Sequence, residues 1–230
     1  MVLVHGSLDR STAFLRVVRL LPDVTTVRYD RRGYDRSLAA GPCTSFQDQV
    51  DDLAAVVAGQ PSVLVGHSLG GVIALALAAQ QPRVAQAVLA YEAPMSWMPW
   101  WPTSTAGSRA TRDGDGAGAA ERFMRRLIGD DRWEALPERT RQQRRAEGPA
   151  LLAELRAIRP PSPPPYRFED LTMPVLAAHG GRSEPHHQET ARRLADLAPR
   201  GELAVIEGAG HGAHLSHPVD FAALVRRLLP

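Results

Sequence analysis

The sequence predicts an α/β fold: a mostly parallel central sheet flanked by helices, carrying a helical insertion. Three observations point there. In the stretch Ser62 to Ala79, the apolar run Val63-Leu64-Val65 leads through Gly66-His67-Ser68-Leu69-Gly70-Gly71 into an alanine- and leucine-rich segment. That is a buried strand, a sharp glycine-flanked turn and a helix. Further short apolar runs lie at Met1 to Val4, Val24 to Tyr29, Val84 to Ala90, Pro174 to His179 and Leu203 to Ile206. Helical patterns separate most of them, as in a parallel sheet with crossover connections. From Ala93 to Leu171 the alternation stops and helical patterns replace it.

A length of 230 residues suits one α/β domain. The formal charge is +2, too small for a field directed at nucleic acid or membrane. The sequence pI of about 9.1 reflects a chain whose basic residues are all arginine, and arginine stays charged at high pH. The lone Cys43 excludes an internal disulfide and is compatible with a reducing compartment. No apolar run approaches bilayer length, and no basic segment with an apolar signal core opens the chain. The expectation is a cytoplasmic protein, monomer or homodimer.

The turn at Ser68 carries chemistry. G-x-S-x-G between strand and helix is the pattern of a nucleophile elbow. The flanking glycines let strand and helix approach closely, and the hydroxyl stands clear of the backbone. At the helix N-terminus the dipole and free N–H groups favour negative charge, so the Leu69 N–H can serve an oxyanion. Together with Val4-His5-Gly6 and Gly210-His211, Gly66-His67-Ser68-Leu69-Gly70-Gly71 resembles the α/β-hydrolase superfamily over nearly the whole chain. The expectations that follow rest on that resemblance as well as on the residues.

Met1 to Val4 is the first strand. Family members usually have one or two strands before it, so the N-terminal strands are missing or shortened here. Val24 to Tyr29 then becomes an exposed edge open to pairing with another chain. The His5-Gly6-Ser7-Leu8 turn resembles the family's oxyanion loop, which makes the Ser7 N–H the second donor beside Leu69. His5 is read as a brace for that loop. Phe14, Val17, Val18 and Leu21 keep helical spacing up to Pro22. Asp30 to Ser37 resembles the family's D-x-R-G-x-G-x-S turn, with Asp35 where the second glycine usually lies. Thr44, Ser45, Gln47 and Asp48 offer capping chemistry, and Phe46, Val50, Leu53 and Val57 make an apolar stripe.

Residues 1–92 and 172–230 are expected to form the core, and 93–171 a helical lid inserted between two strands. Helices are predicted at Ala119 to Gly129, Arg132 to Glu147 and Ala150 to Ile158. Thr103 to Ala120 is rich in Gly, Ser, Thr and Asp and is expected to be mobile. Pro160 to Pro165 makes a stiff return. Met95, Trp97, Trp100 and Trp101 are either lid core or the wall of an acyl pocket. After the Pro174-to-His179 strand, Glu189 to Leu197 is a helix, and Pro218 opens a closing helix carrying Phe221, Leu224, Val225 and Leu228.

Ser68 needs a base to take its proton. Gly208-x-Gly210-His211 follows the last strand and matches the family's final motif, which makes His211 the base. His67 resembles the family's structural neighbour of the nucleophile. His211, His214 and His217 are spaced like metal ligands, but no acidic partner is visible beside them, so no metal and no cofactor is expected. The acid usually follows the Pro174-to-His179 strand, where this chain has Ser183. Glu92, at the end of the preceding strand, is the first choice in its place and Glu184 the alternative. The resulting expectation is a cofactor-independent serine hydrolase cleaving a carboxylic ester, thioester or lactone of a small acyl substrate. The rivals are a non-catalytic binding protein of the same fold, and a carbon–carbon hydrolase or acyltransferase using the same three residues.

Overall fold

The protein is described here by a computed structural model covering residues 1–111, 115–160 and 162–229. Six strands build the sheet: β1 Val2–Val4, β2 Val27–Arg28, β3 Ser62–His67, β4 Ala85–Tyr91, β5 Val175–Gly180 and β6 Gly201–Ile206. All pair in parallel, in the order β2-β1-β3-β4-β5-β6. Between and after them run α1 Leu15–Arg19, α2 Phe46–Val57, α3 Leu69–Gln80, α4 Ala106–Ala110, α5 Gly116–Ile128, α6 Asp130–Glu134, α7 Glu138–Ala146, α8 Gly148–Ala157, α9 Pro185–Leu197, α10 Ala213–Ser216 and α11 Pro218–Arg226.

The chain divides into two compact units. One comprises Met1–Tyr29, Val50–Met95 and Pro164–Pro230; the other comprises Asp30–Gln49 and Ser96–Pro163. The first holds the sheet. Its inner strands β1, β3, β4 and β5 are largely apolar and buried, as a parallel sheet with helical crossovers requires. Val63, Val65, Ala87, Leu89, Leu176 and Ala178 face Phe14, Val17, Phe221 and Val225 in one buried cluster. β2 is an edge strand as expected, but shorter than Val24 to Tyr29, because β1 offers it only Val2 and Leu3 as register partners. Val27 on that edge is 42% exposed.

In the second unit the run Arg132 to Glu147 is not one helix. It breaks at Pro137, which stands outside α7 as its N-cap residue, since proline disfavours helical backbone in the residue before it. Part of the segment expected to be mobile is helical. The Thr105 hydroxyl accepts the Ser108 N–H at 3.2 Å to cap α4, and the Asp115 carboxylate accepts the Gly118 N–H at 2.8 Å to cap α5. Two of its polar residues, Thr105 and Asp115, are caps. Arg112 to Gly114 of that segment, and Pro161 of the proline return, lie outside the described residues.

Asp30 to Gln49 packs with the insertion through a buried charge pair. Arg31 lies 2.7 Å from Glu154 of α8, and neither side chain is exposed. The Tyr34 hydroxyl donates to the other Glu154 oxygen at 2.6 Å, and Arg31 also donates to Gln49. Cys43 lies in this polar cluster, its thiol pushed up to about 11 by burial and by the charge of Glu154. Asp35 has φ 41°, the left-handed backbone that the missing glycine would supply more cheaply. Three arginines of α7 are paired with acids: Arg141 with Glu134 and Glu138, Arg144 with Glu147, and Arg145 with Glu121 and Glu138.

Candidate active site

The direction in which the chain steps across the sheet reverses between β1 and β3. Strand ends diverge at such a point, and ligands bind there in α/β sheets. β1 ends in His5-Gly6-Ser7 and β3 ends at His67, immediately before Ser68. The two ends are in close contact: a Cβ on Gly6 would lie 2.9 Å from the Ser68 Cβ and 3.0 Å from His67 Nδ1.

Ser68 has φ 53° and ψ −126°, strained backbone of the kind that costs on the order of 1–3 kcal/mol and survives only where its surroundings hold it. Two backbone bonds hold it here. The Ser68 N–H donates to the Tyr91 carbonyl, and the Ser68 carbonyl accepts the Gly71 N–H, both at 2.8 Å. The elbow's glycines are required by space. A Cβ on Gly70 would come within 2.1 Å of the Val4 carbonyl oxygen, and one on Gly66 within 2.4 Å of Gly71. Leu69 opens α3, where the first N–H groups lack intrahelical acceptors. Ser7 follows Gly6 on the facing loop. His5 is fully buried, and its Nδ1 bonds to the Gly6 carbonyl at 2.8 Å, which suits the bracing role read from the sequence.

His211 lies in the loop after β6. That loop is tied to two strand ends: His67 Nε2 donates to the His211 carbonyl at 2.9 Å, and the Tyr91 hydroxyl donates to the Gly210 carbonyl at 2.8 Å. The His67 and His211 rings are 4.7 Å apart. The carboxylate brought to His211 is that of Glu92, with Oε2 at 2.6 Å from Nδ1. A carboxylate only accepts, so Nδ1 carries the proton and Nε2 presents its lone pair.

Glu92 is completely buried and has φ 49°. Its second oxygen accepts the Gly180 N–H at 2.9 Å and the Ser183 hydroxyl. Burial alone would raise its pKa. The bond from His211, that histidine's charge, His187 and Ser183 together outweigh burial and hold the carboxyl well below its usual range. The alternative acid, Glu184, is exposed at the start of α9. Ser183, at the family's usual acid position, sits on the carboxylate that does the pairing.

Sequence reasoning passed over two groups, His187 and Asp9. His187 stacks on His211 with ring centres 4.6 Å apart, and its Nδ1 lies 4.0 Å from Glu92. Burial, then the charge of His211, pushes its pKa well below 6.5. Asp9 accepts a hydrogen bond from His214 Nε2 at 3.2 Å, and His214 is itself buried. No local pattern announces these contacts: Asp9 and His214 are 205 residues apart. Of the apolar candidates, Met95 belongs to the first unit and has no exposed surface. Trp97, Trp100 and Trp101 are half-buried in the second unit. No helix among the described residues is long and apolar enough to cross a membrane.

A parallel sheet with this strand order, a serine on a strained strand-to-helix turn, and a histidine–carboxylate pair from the loops after β6 and β4 define a hydrolase of the α/β type. Residues 1–224 match the Alpha/beta hydrolase family, and the chain belongs to it. It is similar to the 2-(acetamidomethylene)succinate hydrolase of Mesorhizobium japonicum, 26% identical over 234 residues that cover 92% of this chain and 81% of that one. It is also similar to the pimeloyl-[acyl-carrier protein] methyl ester esterase of Yersinia pseudotuberculosis, 25% identical over 237 residues, covering 98% and 91%. Among solved structures, MenH from S. aureus shares the fold with a TM-score of 0.75 at 19% identity, covering 99% of this chain and 92% of that one.

Proposed function

We propose that this enzyme is a cofactor-independent serine hydrolase that cleaves a carboxylic ester, thioester or lactone of a small acyl substrate. The reading is carried by the 2.6 Å bond between His211 Nδ1 and the buried Glu92 carboxylate, in a loop that His67, the neighbour of Ser68, holds by its backbone. Glu92 fixes the tautomer of His211 and stabilises the imidazolium formed when His211 Nε2 takes the Ser68 proton. The Ser68 oxygen attacks the acyl carbon, and the Ser7 and Leu69 N–H groups receive the oxyanion. The tetrahedral intermediate collapses, the leaving group departs with the proton from His211, and Ser68 is left acylated. Water, deprotonated by His211, repeats the addition and releases the acid and free Ser68. A non-catalytic reading drew its force from Ser183 at the usual acid position. The bond of Glu92 to His211 supports the catalytic reading over it. The relatives named for ester and amide-like substrates support the reaction class.

The test is intact mass after exposure to a fluorophosphonate. A single adduct is expected on wild-type protein and none on Ser68→Ala. The same variant should lose ester turnover down to the residual roughly 10³–10⁴-fold over water that binding and oxyanion donors leave. An unlabelled wild type, or full turnover in Ser68→Ala, would remove Ser68 from the mechanism.

A further inference from the structure

Asp9, His67 and His214 come from the loop after β1, the end of β3 and α10, all in the first unit. Asp9 Oδ2 lies 3.2 Å from His214 Nε2 and 3.8 Å from His67 Nδ1. The hydrogen bonds decide what each atom offers. His67 Nε2 is committed as a donor to the His211 carbonyl, which leaves Nδ1 of the neutral ring as a bare lone pair. That nitrogen is buried and has no hydrogen-bond partner among the described residues. It faces a carboxylate oxygen, another acceptor. Two acceptors turned on each other in a buried place are repulsive, and burying them unpaired costs free energy. A cation between them removes the conflict.

We propose that Asp9, His67 and His214 form a binding site for a divalent transition-metal ion of the zinc class. Zinc bound to imidazole nitrogen or carboxylate oxygen sits about 2.1 Å from each ligand, so two ligands at a tetrahedral angle lie about 3.4 Å apart. The separations of 3.2 and 3.8 Å bracket that value. Two imidazoles and one carboxylate suit zinc better than magnesium or calcium. The His67 side chain is 8% exposed and Asp9 19%, so the fourth position opens on the Asp9 side. The His211 carbonyl that fixes the His67 tautomer is the outer-shell partner such ligands commonly have. On binding, His214 moves its proton from Nε2 to Nδ1, which carries no hydrogen bond, and Nε2 becomes the ligand. The ion ties together the loop of Ser7, the residue before Ser68 and the segment after His211. The proposal does not depend on the ester-cleaving reading.

Spacing among His211, His214 and His217 does not reveal this site. His211 is held by Glu92, His217 bonds to Ser216, and the acidic ligand comes from the far end of the chain. A second group, Glu92, His187 and His211, has comparable spacing, but there the 2.6 Å bond of His211 to Glu92 already satisfies both atoms.

The experiment is calorimetric titration of Zn2+ into chelator-washed protein, for wild type, Asp9→Asn, His214→Gln and His187→Gln. Wild type and His187→Gln should bind one ion per chain. Asp9→Asn and His214→Gln should lose affinity beyond the roughly 10–100-fold that removing an outer-shell partner costs. Absence of binding to wild type overturns the proposal. So does binding that survives Asp9→Asn and disappears in His187→Gln. Should either ligand variant fail to fold, ring-nitrogen NMR of the wild type decides. Zn2+ must shift the nitrogens of His67 and His214; a shift confined to His187 and His211, or none, overturns the assignment.

Discussion

At the scale of single residues, the arrangement of Glu92 is the most informative feature. Its two oxygens are divided between two tasks: one takes His211, and the other takes Ser183 and the backbone of Gly180. Replacing the carboxylate by an amide leaves the shape almost unchanged but offers His211 an N–H as readily as an oxygen, and the tautomer is no longer defined. Glu92→Gln should therefore lower kcat by about 10⁴-fold, the loss seen when such an acid becomes an amide, while Glu184→Gln stays within a few-fold of wild type. Ester turnover of the two variants, with circular dichroism to confirm folding, decides it; the reverse ranking would return the acid to Glu184. Ser68 and His211 were readable from the chain because each stands in a short glycine-marked motif. Glu92 was readable only as a choice between two carboxylates, since a strand-end acid has no surrounding pattern of its own.

At the scale of elements, Arg31 and Glu154 show how a turn outside the insertion becomes part of it. Breaking a buried ion pair from one side strands the other charge and costs roughly 3–5 kcal/mol. Glu154→Ala removes the acceptor of Arg31 and of the Tyr34 hydroxyl together. Urea unfolding should show a loss of that size, and a change below about 1 kcal/mol would mean the pair is not what joins Asp30–Gln49 to α8. The strands and most helices were legible because apolar periodicity is local. Pro137 was present in the sequence, yet the run Arg132 to Glu147 reads as one helix until the break is seen. The capping roles of Thr105 and Asp115 were not legible, because the same polar residues mark both loops and helix starts.

At the scale of the whole molecule, folding buries two histidines as neutral rings and several carboxylates as charged ones. His67 and His187 have folded pKa values well below 6.5. The unfolded chain therefore binds more protons than the native one once pH falls below about 6.5, and stability is lost from there downward. Asp9 and Glu92, also lowered, add a second loss as pH falls below their ordinary values of 3.8 and 4.5. Burial pushes Asp9 up, but the bond and charge of His214 and the charges of His67 and His5 outweigh it. The melting temperature should be level above about pH 7, decline from about 6.5 to 5, and fall more steeply below about 4.5. His187→Gln should flatten the middle part of that curve. Calorimetric melts across this range check it, and a flat curve between pH 7 and 5 would show that neither ring is buried neutral.

The sequence by itself determined the strands, the elbow around Ser68 and the place of His211, because close packing of glycines and β-branched runs is written in neighbouring residues. Only the tertiary structure decided the partner of His211, the service of Ser183 to Glu92 and the meeting of Asp9 with His67 and His214. Those contacts join positions 119 and 205 residues apart in the case of His211 with Glu92 and of His214 with Asp9. A charge on a strand end or a loop has no periodicity to betray its partner. Its role is set by which other loops the strand order places beside it, and that order exists only in the folded sheet.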